Sequence, residues 1–255
     1  MSEELVTVEQ RGRVAVVTLN RPQVHNAVNR DVTSAMCSAL DRLEADEAIW
    51  ALVVTGAGGS FCAGADLKAG PGGRAVVHEL GGFAGLTSRE LTKPIVAAVN
   101  GAALGGGLEI CLACDLVVAE EQATFGLPEV RRGIVAAAGG LERLPRRISP
   151  VLAMELVLTG ESISAARALE IGLINQIVPR GSALDVSVAL AKKICDGAPL
   201  AVRYSKAVVK ASIAVGEREV VRDLRSQRQA LFSSEDAMEG ARAFREKRSP
   251  EWRAH

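Results

Sequence analysis

Two glutamates beside glycine-rich or proline-containing turns are the first candidates for chemistry in this sequence. Glu109 follows the glycine triplet 105–107, and Glu129 follows Pro128 in the segment "TFGLPEV". Two carboxyl groups that converge on one point can hold a water molecule and act as an acid and base pair. Each glutamate could instead be a first-turn acid that stabilises the dipole of a surface helix.

The neighbours of the two glutamates differ. Glu109 lies between Leu108 and Ile110, and further apolar residues follow. A carboxyl group in such a segment is expected to be buried, and a buried acid costs free energy unless a partner or a function compensates for it. For Glu129 the residues alone favour the dipole interpretation, because Pro128 suits the first position of a helix.

The glycine triplet lies between an apolar run that ends near Asn100 and a helical pattern that continues from Leu108. Glycine at this position lets the backbone approach a ligand closely and leaves N–H donors free at the start of a helix. Close packing of a helix on a strand also requires glycine, and the residues do not decide between these interpretations.

A second turn of the same form occurs in "GAGGSFCAGADLKAG" (56–70), where a helix is expected to begin near Ala65–Asp66. If both turns belong to one parallel sheet, each could direct one backbone N–H at the same carbonyl oxygen. Two such donors form an oxyanion hole, which stabilises negative charge on that oxygen.

Other familiar site patterns are incomplete. Cys111 and Cys114 form a C-x-x-C pair with no second pair and no histidine nearby, so core packing is the expected role. The three histidines lack metal-ligand spacing, and no G-x-S-x-G motif is present. Phe61 occupies the position of the third glycine in a dinucleotide-binding loop. We therefore expect no metal site and no separate cofactor.

The composition sets broad limits on the function. The 255 residues include 30 basic and 30 acidic side chains, a balance that does not favour nucleic acid or an anionic membrane as a partner. No apolar run is long enough to span a bilayer, and the first residues lack an apolar signal segment. The five cysteines are an odd number in a long chain, which does not favour a disulfide framework. A cytoplasmic protein is the expectation.

The order of the apolar segments predicts an α/β fold. Runs rich in valine at 14–22, 50–61, 95–107 and 115–126 suit strands buried on both faces, and a helical pattern at 32–46 lies between the first two. After about residue 145 helical patterns dominate, with Ser164 as a predicted N-cap. We predict a core over 1–190 and a helical C-terminal region over 191–255. The glycine-rich segment 68–91 is predicted to be a loop around a short helix.

Three blocks of the sequence resemble the enoyl-CoA hydratase/isomerase (crotonase) family in order and spacing. They are "SFCAGADLK", "KPIVAAVNGAALGGGLEICLACDLVVA" and "ATFGLPEVRRGI…AGGLERLPR". The resemblance covers essentially the whole chain. It implies a spiral of repeated ββα units with a C-terminal helical region used in trimerisation, and a homotrimer or homohexamer as the assembly.

The resemblance also implies a role for individual residues. The N–H groups of Ala65 and Gly106 would form the oxyanion hole, and Glu109 and Glu129 would be the catalytic acids. The residues implied to contact the substrate or its CoA part are Asn26, Ala27, Val28, Ala63, Ala65, Asp66 and Leu67. Phe244 and Lys247 resemble tail residues that reach the CoA of a neighbouring subunit.

Because both glutamates are present, the resemblance implies hydration of a 2-enoyl-CoA in fatty acid or related acyl-CoA metabolism. CoA would then be part of the substrate. The segments 81–87 and "SEDAMEGARAFREKR" look more like the carnitinyl-CoA dehydratase branch. An enoyl-CoA isomerase and a noncatalytic acyl-CoA-binding protein remain alternatives. One departure is that Ala136 and Ala137 replace the usual Pro-Gly loop, which could shift the water site if an unusual backbone is needed there.

Overall fold

The computed structural model describes residues 4–66, 77–215, 234–246 and 248–253. Leu67 and Lys247, which were predicted to contact CoA, lie outside the described residues. The strands are β1 (Val6–Arg11), β2 (Val14–Leu19), β3 (Ala51–Gly56), β4 (Ser60–Cys62), β5 (Val77–His78), β6 (Gly82–Phe83), β7 (Ile95–Val99), β8 (Ala102–Leu104), β9 (Leu116–Glu120), β10 (Thr124–Gly126), β11 (Ser162–Ser164) and β12 (Gln176–Val178). The α-helices are α1 (Arg30–Ala45), α2 (Gly106–Ala113), α3 (Gly140–Arg147), α4 (Pro150–Thr159), α5 (Ala165–Glu170), α6 (Ala183–Cys195), α7 (Pro199–Val215) and α8 (Glu235–Glu246). Two 3-10 helices span Pro22–Val24 and Pro128–Arg132.

Two sheets and one ribbon organise the strands. The large sheet has the order β1-β2-β3-β7-β9-β12, and only β1 runs antiparallel to its neighbour. The small sheet has the order β11-β10-β8-β4, and only β11 is antiparallel. The parallel pairing predicted from the valine-rich runs is therefore confirmed.

Three of the predicted strands are each two strands, which corrects the sequence interpretation. The runs 50–61, 95–107 and 115–126 each contribute one strand to the large sheet and then a short strand to the small sheet. The small sheet places β4, β8 and β10 side by side, so the turns that follow them lie at a common edge. This arrangement brings the two glycine-rich turns together.

Asn100 and Gly101 form one of the turns between the two sheets. The Asn100 side chain donates to the carbonyl oxygens of Gly56 at 2.8 Å and Gly58 at 2.7 Å, in the corresponding turn of the preceding unit. A Cβ on Gly101 would overlap the carbonyl of Gly59. Consecutive turns therefore stack closely, and glycine is required at the point of contact.

Alternate residues of the large sheet face two separate parts of the core. Leu52 and Val54 of β3 point into the main cluster with α1 and α2, whereas Ala51 and Val53 point toward α6. Burial on both faces explains why these strands read as continuous apolar runs. The boundary predicted after residue 190 falls within α6, and the division into two parts stays a prediction.

Local rules account for the other main elements. The Asn29 side chain accepts from the N–H of Val32 and begins α1, and the Ser164 side chain accepts from Arg167 at the start of α5, as predicted. Helix α7 is attached to the core by Lys206, whose Nζ lies 2.7 Å from Asp115 Oδ2 and donates to the carbonyl of Lys93.

Two predictions about the segments around the glycine-rich turns can be compared only with residues 63–66 and 77–91, because residues 67–76 lie outside the described ranges. Residues 63–66 are not helical, and Ala65 instead forms a parallel bridge with Val28. The described part of the 68–91 segment contains the ribbon β5–β6 and turns instead of a helix. Within the described ranges no helix has both the length and the apolar character needed to cross a membrane.

Candidate active site

The two glycine-rich turns meet at Gly64 and Gly106. Gly64 has φ +93°, and a Cβ there would lie 3.2 Å from the backbone nitrogen of Gly106 and 3.0 Å from the carbonyl oxygen of Leu104. A larger residue would separate the turns as well as strain its own backbone. The turns that were predicted from separate parts of the sequence therefore form one site.

The bridge between Val28 and Ala65 sets the direction of one backbone donor. Val28 N donates to Gly64 O at 2.9 Å, and Asp66 N donates to Val28 O at 2.8 Å. In a parallel pair this pattern leaves the N–H of the bridged residue facing the opposite side. Among the described residues, the N–H groups of Ala65 and Gly106 donate to no protein acceptor. Both donors are thus available for an oxygen placed between the turns.

Glu109 is held by a loop that is distant in sequence. It lies in the first turn of α2 and is only 3% exposed. Its Oε1 accepts from the backbone N–H groups of Ala138 at 2.7 Å and Gly140 at 2.9 Å. Burial raises the pKa of Glu109, and these two hydrogen bonds oppose that increase. This side chain is a buried site group and not a surface acid at a helix end.

Glu129 lies in the 3-10 helix that begins at Pro128, beside Gly105. A Cβ on Gly105 would stand 3.0 Å from Glu129 Oε1. The other oxygen, Oε2, is buried and has no hydrogen-bond partner among the described residues. Desolvation raises the pKa of Glu129, and its negative charge in turn raises the pKa of Glu109. The two carboxyl groups are therefore electrostatically coupled.

The loop at 136–140 has a left-handed backbone conformation at a glycine and not at the two alanines for which an unusual backbone was considered. Gly139 has φ +98°, whereas neither Ala136 nor Ala137 has a positive φ. Ala136 is buried and its Cβ lies close to Gly140, where an added Cβ would be 3.1 Å away. The alanines therefore cause no backbone strain, and the glycine at 139 provides the left-handed turn that directs two amides at Glu109.

The segment 26–28, predicted to contact CoA, is fixed to the turn that carries Ala65. Asn26 is buried, and its amide donates to Ala57 O and Ser60 O. Arg21 donates to Ala27 O at 2.6 Å and forms an ion pair with Asp66 at 3.0 Å. Asn26 therefore positions backbone and does not point its amide outward.

The C-x-x-C pair belongs to the core, as predicted. Cys111 and Cys114 are buried, and burial raises the pKa of the Cys114 thiol to about 12. A thiol with so high a pKa is a poor nucleophile and metal ligand. In the described ranges no cluster of three or more His, Cys, Asp or Glu side chains is suited to a metal ion.

Sequence analysis missed two side chains that contact the site. The ring of Phe83 lies against Gly106, where a Cβ would overlap it. Arg143 of α3 donates to the carbonyl oxygens of Ala138 and Thr87. No pattern marks Phe83. Arg143 has a detectable signal, because a cation in the first turns of a helix opposes the helix dipole and suggests another partner.

Phe244, which was predicted to reach the CoA of a neighbouring subunit, lies in α8, and its role remains a prediction. The site thus combines two amides that have no acceptor among the described residues with two coupled carboxyl groups, Glu109 buried and Glu129 partly buried. Free amides can stabilise an oxyanion, and a carboxyl pair can move protons to and from water. The enoyl-CoA hydratase/isomerase family matches residues 9–255.

The chain belongs to the enoyl-CoA hydratase/isomerase family.

Individual members of the enoyl-CoA hydratase/isomerase family support this assignment. The carnitinyl-CoA dehydratase of Proteus mirabilis (strain HI4320) is 40% identical over 251 residues, which cover 95% of this chain and 96% of that protein. The crystal structure of enoyl-CoA hydratase from Mycobacterium tuberculosis H37Rv has a TM-score of 0.95 at 47% identity, covering 99% of this chain and 100% of the other. That of carnitinyl-CoA hydratase from Mycobacterium avium has a TM-score of 0.80 at 46% identity, covering all of both chains.

These similarities confirm the crotonase-like α/β fold with its C-terminal helical region. In the terms of this family, β7, β8 and α2 form one ββα unit, and the following strands β9 and β10 lead to the 3-10 helix with Glu129. The similarity of the folds extends over nearly the whole chain.

Proposed function

We propose that this protein is an enoyl-CoA hydratase, a hydro-lyase that adds water reversibly to a 2-enoyl-CoA and yields a 3-hydroxyacyl-CoA. The observation that carries the proposal is the buried Oε2 of Glu129, which has no hydrogen-bond partner in the described part of the chain and lies beside the turn that presents the N–H of Gly106. A buried polar atom without a protein partner requires another polar group, and water is the second substrate of hydration.

The two amides would bind the thioester carbonyl oxygen. As water adds to Cβ, the electrons of the double bond shift to that oxygen and form an enolate. The N–H groups of Ala65 and Gly106 stabilise the negative charge, and they lower the barrier only by binding the enolate more tightly than the carbonyl. Loss of one such donor would cost about 3 kcal/mol of transition-state stabilisation.

The two carboxyl groups would handle the protons. Water gives its oxygen to Cβ and one proton to a carboxylate, and a proton is delivered to Cα to complete the product. Desolvation favours the protonated form of both glutamates, and their mutual repulsion disfavours ionisation of both together. A pair that shares one proton can act as base and acid in the same reaction.

The acyl-CoA thioester is itself the substrate, and we expect no additional cofactor. The loop 26–28 and residues 63–66 would contact the CoA part. Arg21 links these two segments, because it donates to Ala27 O and forms an ion pair with Asp66. Fixed positions of this kind reduce the ordering cost of binding.

The test is an activity screen on 2-enoyl-CoA esters of increasing chain length, followed as loss of the conjugated thioester absorbance. We expect turnover by the wild type and a decrease of about 10²–10⁴-fold in E109Q and E129Q. The exposed Glu121 provides the matched control, and E121Q should keep wild-type rates. Binding of acyl-CoA without turnover, unchanged in both site variants, would instead indicate a noncatalytic protein.

A second candidate is a dehydratase acting on a carnitinyl-CoA-like substrate. The observation that favours it is the 40% identity to a protein named carnitinyl-CoA dehydratase, together with the 46% identity to a carnitinyl-CoA hydratase. Both candidates use the same two glutamates. Rates on crotonyl-CoA and crotonobetainyl-CoA, measured side by side, separate them. Migration of the double bond without uptake of solvent oxygen would indicate an isomerase.

A further inference from the structure

Arg143 links two loops that contact different parts of the candidate site. One guanidinium nitrogen donates to Ala138 O at 3.0 Å, and the other donates to Thr87 O. Gly139 lies beneath the guanidinium, since a Cβ there would overlap Arg143 Nη1. A planar guanidinium can hold two carbonyl groups at fixed directions, which a lysine ammonium cannot do.

The first of these loops holds the acid. Arg143 binds the carbonyl of Ala138, and the N–H of the same residue donates to Glu109 Oε1. The neighbouring Gly140 N–H supplies the second hydrogen bond to that oxygen. A displacement of this loop would therefore displace both donors together.

The second loop borders the amide of Gly106. Thr87 Oγ1 accepts from the backbone N–H of Phe83 at 2.9 Å, and the Phe83 ring lies against Gly106. Arg143 holds the carbonyl of Thr87. Through these contacts one side chain connects the acid of α2 with the turn that carries the predicted oxyanion donor.

We propose that Arg143 is a positioning residue for the hydration reaction, fixing the loop that holds Glu109 and the loop that supports Gly106. The inference rests on the proposed function for its kinetic consequence. Its structural consequence, the environment of the Glu109 carboxylate, can be measured without turnover.

The charges around Glu109 determine what removal of Arg143 would do. In the described residues, the charged groups that act on it are Glu129, which raises its pKa, and Arg143, which lowers it. Arg143 is itself influenced by Glu142 and Arg146 on α3. Burial and Glu129 both raise the pKa of Glu109, and Arg143 counteracts them. Removal of the guanidinium should therefore raise this pKa further.

The experiment compares wild type with R143M, R143K and the matched control R146M, because Arg146 is exposed on the same helix. The Glu109 carboxyl carbon is titrated by carbon-13 NMR in glutamate-labelled protein and assigned by its absence in E109Q. The pH profile of kcat/KM on crotonyl-CoA is measured in parallel.

We expect R143M to shift the Glu109 titration and the acidic limb of kcat/KM upward by on the order of one pH unit. Its kcat should fall about tenfold or more, since small displacements of a catalytic group are costly. R143K keeps the charge but not the two-pronged contact, so its titration should resemble wild type while kcat remains reduced. R146M should match wild type in both measurements.

A Glu109 titration in R143M that matches wild type would overturn the proposal. If R143M does not fold, wild-type kcat in R143K would overturn it instead. Absence of hydration by the wild type would contradict the proposed function, and the carbon-13 titration would still decide the role of Arg143.

Discussion

Glu129 Oε1 lies 3.0 Å from the point where a Cβ on Gly105 would stand. Gly105 also has φ +56° and is the N-cap of α2, whose first residue provides the predicted oxyanion donor. One glycine therefore leaves room for the carboxylate and allows the backbone turn that begins the helix. Both requirements disfavour a side chain at this position.

We expect G105A to lower hydration at least tenfold, because the methyl group would displace Glu129, and to destabilise the fold by about 1–3 kcal/mol through backbone strain. Gly172 provides the control, since it has φ +76° and an added Cβ there would meet nothing within 4 Å. G172A should show a comparable loss of stability with wild-type turnover. Equal turnover in both variants would contradict the contact with Glu129.

The pH dependence of stability should reveal the buried state of Glu109. Its pKa is raised in the folded protein above the ordinary value of 4.5. The folded state therefore retains this proton more strongly than the unfolded state. The contribution to stability is fully present below about pH 4.5 and is lost as the pH rises through the folded pKa.

Replacing Glu109 with glutamine removes that loss. We expect the unfolding free energy of E109Q, relative to wild type, to increase in urea titrations as the pH rises above about 4.5. E121Q, at an exposed position, should show no such trend. If the difference in unfolding free energy between E109Q and wild type does not change with pH, the Glu109 carboxyl group ionises as easily in the folded protein as in the unfolded chain.

The attachment of α7 to the core depends on Asp115. Asp115 accepts from the N–H of Ile95 at 2.8 Å and pairs with Lys206, and both charged side chains are largely buried. D115N would leave the Lys206 ammonium without its counter-charge, at a cost of about 3 kcal/mol. Asp185, which is 82% exposed and paired with Arg11, is the matched control. D185N should change the unfolding free energy by less than about 0.5 kcal/mol.

An exposed apolar stripe on α4 bears on the predicted homotrimer or homohexamer. Val151, Met154 and Leu158 are 77%, 58% and 66% exposed, and their spacing places them on one face of the helix. We expect this stripe to be covered in the assembly. L158E should then shift the mass measured by light scattering toward monomer, whereas L80E, at another exposed leucine, should not. A monomeric wild type would refute the predicted assembly.

Local sequence rules correctly predicted the secondary-structure elements that are marked by neighbouring residues in the sequence. Ser164 caps α5 as its residue type suggests, and the helix at 32–46 was placed within two residues of α1. The division of the apolar runs between two sheets was missed, although Asn100 and Gly101 are residues typical of a turn. A continuous hydrophobic pattern outweighed the turn signal, because both halves are buried.

The candidate site could be predicted only where a residue of suitable chemistry lies next to a recognisable turn in the sequence. Glycine-rich turns and the apolar neighbours of Glu109 indicated two donors and a buried acid. The partners of that acid could not be predicted, since Ala138 and Gly140 are about thirty residues away and contribute backbone atoms. A backbone donor has no residue signature, so only the fold identifies it.

The bridge between Val28 and Ala65 has a consequence for how this protein would use a long substrate. The segment 26–28, which is expected to contact the CoA part, is joined by two hydrogen bonds to the chain that carries Ala65, whose N–H is the predicted donor to the thioester oxygen. Contacts made far from the double bond would thereby restrain the group that acts on it. A truncated thioester without the nucleotide should therefore have a lower kcat. The backbone that contacts the CoA part would also hold the predicted oxyanion donor in place.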